Sequence, residues 1–118
     1  MPKIENTYTI PVGQTTSGSI FLNEGALTGL YISGSVVTGT TLTFLVSNDN
    51  GANFGALYTS GSTEVSLAVT SASVRSYALN PGDFRGFDVI KLRLGTSASA
   101  VAQATYPLTV VATIDNLL

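Results

Sequence analysis

The feature that most constrains this chain is a hydrophobic period of two, repeated in short runs and broken each time by Gly, Ser, Asn or Pro. Tyr8, Ile10 and Val12 alternate with polar neighbours, and Val65, Leu67 and Val69 do the same. In Phe87-Asp88-Val89-Ile90-Lys91-Leu92-Arg93-Leu94 the residues 90, 92 and 94 take one face, and Lys91 and Arg93 take the other. Side chains alternate across a strand, so this pattern describes half-buried β-strands. Further runs of the same kind fall at 19–22, 27–32, 42–46, 74–79 and 106–114. No segment carries a 3.6-residue apolar stripe. Ala98 to Ala104 reads as a loop after Gly95-Thr96-Ser97, and Asn80-Pro81-Gly82-Asp83-Phe84 as one helical or 3₁₀ turn. Eight or nine short strands separated by turn residues predict an all-β fold, a single antiparallel β-sandwich of jelly-roll-like form, with an Ig-like sandwich as the alternative.

A chain of 118 residues with 44% hydrophobic content fits one domain, residues 1–118, with a core of its own. Residues 1–7, with Pro2 and mixed polarity, read as an N-terminal arm that orders on a partner. No apolar run reaches signal-peptide or membrane-spanning length, so synthesis in a cytosol and no membrane partner are expected.

Composition narrows the chemistry. There is no Cys and no His, which removes disulfides, thiolate metal sites, the commonest metal ligand and the commonest general base. Only 10% of residues are charged, against about 25% in an ordinary domain. Five basic and seven acidic residues, with no basic cluster, argue against a nucleic-acid partner. Ser and Thr supply the polar surface instead. A surface so poor in charge lacks the usual protection against association, which points to a protein that sits against partners.

Each candidate site has a plain structural reading beside it. Ser47-Asn48-Asp49-Asn50-Gly51 has the composition of a calcium loop. With Gly51 at the sixth position of an EF-hand, however, position one is Val46 and position twelve is Leu57, and neither is a ligand. Asn50-Gly51 between two strands is instead a strong hairpin signal. A looser calcium site would have only the Asp49 carboxylate. A nucleophilic Ser has no His to activate it; Lys3 lies in the arm, Lys91 in a strand, and Asp83 and Asp88 fit a turn cap and a solvent-facing strand position. No enzyme and no cofactor are expected. Lys91 and Arg93 fit a solvated sheet face or cross-strand ion pairs, and in a functional reading they meet an acidic partner. Phe54 and Tyr58, beside the hairpin, are the aromatics best placed for an exposed contact such as a sugar, although Tyr8, Phe44, Tyr77 and Phe87 fall at core positions. The candidate contact residues are therefore Asn48, Asp49, Asn50, Phe54, Tyr58, Lys91 and Arg93.

The stretch from Leu79 to Ser97 carries an apolar-x-P-x-D-F turn, a strand with K-apolar-R, then G-T-S, with Val101-Ala102-Gln103 downstream. Together with F-x-x-S-N-D-x-G at Phe44 to Gly51 and an aromatic at Phe54, it resembles small capsid decoration, or cement, proteins of tailed bacteriophages. Relatives often carry Trp where this chain has Phe54. The resemblance spans roughly residues 19 to 112. It implies a jelly-roll-like virion protein on the capsid exterior, binding the major capsid protein lattice and itself, as a dimer ahead of a trimer. The alternative is a tail-associated or carbohydrate-binding module on the virion. It transfers no functional residue, because the matching motifs are turn and strand scaffolding.

Overall fold

The computed structural model describes residues 3–23, 25–32, 41–69, 75–104 and 106–115. The alternating segments form β1 (Lys3–Ile10), β2 (Ile20–Phe21), β3 (Ala26–Ile32), β4 (Thr41–Ser47), β5 (Gly55–Ala56), β6 (Ser66–Ala68), β7 (Arg75–Ala78), β8 (Val89–Leu94) and β9 (Leu108–Asp115). Their antiparallel pairings are nested. β1 pairs with β9, β2 with β8, β3 with β7, and β4 with β5 and β6. A ribbon nested in this way has one apolar face, and burying that face requires the ribbon to roll up on itself. The roll adds the contacts β3–β9 and β4–β8 and closes two sheets, ordered β1-β9-β3-β7 and β2-β8-β4-β5, with β6 also against β4. Successive strands from β1 to β4 cross between sheets, as do those from β6 to β9, which is jelly-roll rather than Ig-like topology.

The inner faces of both sheets form one core. Leu42, Phe44 and Val46 of β4 and Ile90, Leu92 and Leu94 of β8 meet Leu27, Leu30 and Ile32 of β3 and Leu108, Val110, Ala112 and Ile114 of β9. The crossing from β7 to β8 contains the expected short turn, a 3₁₀ turn at Pro81–Asp83, where the Asn80 side chain accepts from the Gly82 N–H at 3.1 Å. That turn delivers Phe84 into the core, edge-on to Phe44 with ring centroids 5.0 Å apart and planes at 79°. Edge-to-face packing adds to the area that the two rings bury. Tyr8, Tyr77 and Phe87 pack partly buried against the same cluster. Val74, read as the start of a strand, lies outside the described residues.

The N-terminal segment differs from the expected arm. Met1 and Pro2 lie outside the described residues, but Lys3 to Thr7 are the first half of β1, in register with Asp115 to Val111 of β9. The physical reason is that β3 fixes β9 on its other side, so β9 presents a complete row of backbone groups to the N-terminal segment. The opposing sheet does not cover this half of β1. Ile4 to Thr7 are exposed on both faces, and Asn6 occupies an inner-face position where an apolar residue would reveal the strand in the sequence.

Candidate functional site

The hairpin between β4 and β5 is built as its residue types require. Asn50 and Gly51 both have positive φ, +61° and +93°, and the Ala52 N–H donates to the Asp49 carbonyl at 3.3 Å. Two successive left-handed residues inside an i to i+3 turn are the type I′ signature that Asn-Gly supplies. Asp49 organises this turn. Its carboxylate accepts from the Ser47 hydroxyl at 2.6 Å, the Asn53 side-chain amide at 2.9 Å and the Asn53 backbone N–H at 3.0 Å. These bonds, Ser47 first, lower its pKa from 3.8 to about 2. The Asn50 N–H donates to the Asp88 carboxylate at 3.2 Å, and the Asp88 N–H to the Ser47 carbonyl at 2.8 Å, so the loop is stitched to the start of β8. Asn48 is exposed at the tip. The carboxylate that a cation would need already serves the turn. Among the described residues no group of three or more His, Cys, Asp or Glu side chains comes close enough to hold a metal.

Lys91 and Arg93 do share the outer face of β8, opposite Leu45 and Thr43 of β4. Both are occupied. Lys91 places its Nζ 4.7 Å from the centroid of the Phe54 ring, a cation–π contact that pins the loop side chain to the sheet. Arg93 is buried. Its Nε donates to the Thr43 hydroxyl at 3.0 Å, and its Nη2 meets Glu64 Oε2 at 2.5 Å. Thr43 in turn donates to the Gly95 carbonyl at 2.8 Å. Glu64 also accepts from the Ser97 N–H at 3.2 Å, and the Ser97 Oγ lies 2.9 Å from the Tyr58 hydroxyl. Thus two excursions, the 58–64 turn and the 95–100 loop, fold over a sheet face that strand periodicity alone assigns to solvent. Glu64, Thr43 and Ser97 complete this clasp. None was singled out from the sequence, where the one available signal was Glu64 opening an alternating run and G-T-S closing another.

All seven candidate residues therefore gather on the outer face of the β2-β8-β4-β5 sheet or on the loop at its end. Asn48, Asp49, Asn50 and Phe54 form the loop, Phe54 reaches Lys91, and Arg93 connects to Tyr58 through Glu64 and Ser97. Beside the loop, a shallow depression of about 280 Å³ is lined by Phe21, Asn23, Asn50 and Asp88. A wider one of about 400 Å³ lies on the opposite sheet, floored by Gly29 and bordered by Tyr31, Ser76, Val111 and Thr113. The chemistry available on the clasp face is contact chemistry: its charges are paired within the chain, and exposed Phe21 and Tyr58 stand among Ser, Thr and Asn.

No family model matches this sequence, and neither does any curated protein. Solved structures do resemble the fold. The SPBc2 prophage-derived protein YomS superposes with a TM-score of 0.51 at 14% identity, covering 97% of this chain and 95% of that one. A chain from the disulfide-linked pili formed by Bacillus endospore appendages gives a TM-score of 0.42 at 18% identity, covering 95% and 85%. The chain thus shares its β-sandwich fold, along nearly its whole length, with a prophage-derived protein.

Proposed function

We propose that this chain is a non-enzymatic virion structural protein of a tailed bacteriophage. It decorates the capsid exterior and stabilises the shell by binding the major capsid protein lattice. The observation that carries this reading is where the few charges go. On the clasp face Arg93 is paired with Glu64, Lys91 lies over Phe54, and Asp49 is bound into its own turn, so the side chains left for contact there are mainly those of Ser, Thr, Asn, Phe21 and Tyr58. Such a surface has little electrostatic resistance to close packing against another protein. The decoration-protein motifs from Leu79 to Ser97 and the prophage-derived fold neighbour support the same reading. The mechanism is area repeated by symmetry: each copy bridges neighbouring capsid subunits, and weak contacts gain strength from multiplicity.

The test is co-sedimentation of the purified protein with tail-free expanded capsids of the same phage. Saturable binding at a fixed stoichiometry is expected. Binding to purified tails or to a glycan array, with none to capsids, would replace this reading by the tail-associated or carbohydrate-binding one.

A further inference from the structure

Among the described residues the two sheets end in short strands everywhere except at β1. β2 has two residues, β5 two, β6 three and β7 four, and β7 carries Arg75 at its start. Short or charged edges resist pairing with another chain. β1 has eight residues, pairs with β9 without a register break, and contains no proline. Between Ile4 and Ile10 its one charged residue is Glu5. No described strand lies on its far side. Its inner-face residues Ile4, Asn6 and Tyr8 stand opposite the buried Ile114, Ala112 and Val110, yet Ile4 is 44% exposed. At this edge the core continues beyond what the described residues cover.

We propose that β1 pairs antiparallel with β1 of a second copy, about a two-fold axis through Asn6. The β1-β9-β3-β7 sheets of the two copies then join into one eight-stranded sheet. Two-fold symmetry fixes the partners: Ile4 faces Tyr8 of the other copy, Glu5 faces Thr7, and Asn6 faces Asn6. This register makes two aromatic–aliphatic pairs on the inner face, next to Ile114, and opposes no like charges. Centring on Glu5 would oppose two carboxylates. Centring on Thr7 would spend Ile4 on Ile10, which is already buried. The inference deepens the self-association expected of a decoration protein and needs no capsid, so it can fail while capsid binding holds, and the reverse.

Because the chain has no cysteine, single-cysteine variants of the full chain give a clean test. Residues opposite each other across antiparallel strands have Cα atoms about 4.5–5.5 Å apart, within disulfide reach. N6C is expected to form a covalent dimer under mild oxidation. In T9C the two sulfurs would be roughly 20 Å apart along the strands, and it is expected to stay uncrosslinked. Ile4→Lys, at an exposed position, is expected to raise the dimer dissociation constant roughly tenfold in sedimentation equilibrium, with the far-UV spectrum unchanged. A wild-type protein that stays monomeric at millimolar concentration overturns the proposal. So does a trimer, equal crosslinking of N6C and T9C, or an unaltered constant for I4K.

Discussion

Gly95→Ala is expected to be among the most damaging single-methyl changes in the molecule. Gly95 is buried at the end of β8 with φ +86°, and an added Cβ would overlap the Ser99 carbonyl oxygen while standing 2.9 Å from Ala100 Cα and Val101 N. These are backbone atoms, so no side chain can rotate away and the loop has to move. The left-handed conformation alone costs a non-glycine residue about 1–2 kcal/mol. Moving the loop also weakens two closures, Val101 N–H to the Leu94 carbonyl at 3.0 Å and Thr96 N–H to the Ser99 carbonyl at 3.0 Å. Each is worth about 1 kcal/mol net. The Thr43 hydroxyl, which accepts from Arg93, loses its own acceptor as the Gly95 carbonyl shifts. The sum is about 3 kcal/mol, or roughly a 12 °C fall in melting temperature at about 4 °C per kcal/mol for a domain of this size. Differential scanning calorimetry measures it directly. Gly55→Ala is the control: nothing lies within 4 Å of its added Cβ, and a shift within about 2 °C is expected. A G95A melting temperature within about 3 °C of wild type would refute the reasoning, since the 95–100 loop would then be yielding rather than a fixed part of the clasp.

Other perturbations separate the clasp from the hairpin. Glu64→Ala leaves Arg93, with a side chain 10% exposed, without its carboxylate. A loss of about 2–4 kcal/mol in urea unfolding is expected, and E64L/R93M should recover most of it, because an apolar pair replaces a buried ion pair at little net cost. A double variant as unstable as E64A would contradict that account. Asp49 has a folded pKa below its unfolded value, so its stabilisation is complete above about pH 4 and disappears as pH falls through about 2. Melting curves of wild type and Asp49→Asn should differ at neutral pH and converge toward pH 2; a constant gap would show that the turn bonds do not depend on the charge.

What was legible in the sequence was local. Alternation located the strands from β3 to β9 that have a covered inner face, Asn50-Gly51 fixed a I′ turn, and Asn80-Pro81-Gly82 fixed a 3₁₀ turn, because each depends on backbone preferences a few residues long. What failed was long-range. Arg93 reads as a solvent-facing strand residue, yet it is buried because the segments at 58–64 and 95–100 fold over it, and no period records that. β1 reads short for the opposite reason: among the described residues no opposing strand lies over Ile4 and Asn6, so packing does not require an alternating apolar face there. Both misreadings concern what covers a sheet.

The central claim is that the chain belongs on a capsid lattice, and its most direct test is the copy number on tail-free expanded capsids, by quantitative mass spectrometry against the major capsid protein. The account predicts a fixed ratio set by the symmetry sites of the shell, and a shell that releases its genome at lower temperature when the chain is omitted. Capsids that carry no copies, with the chain recovered on tails or free in solution, would contradict it.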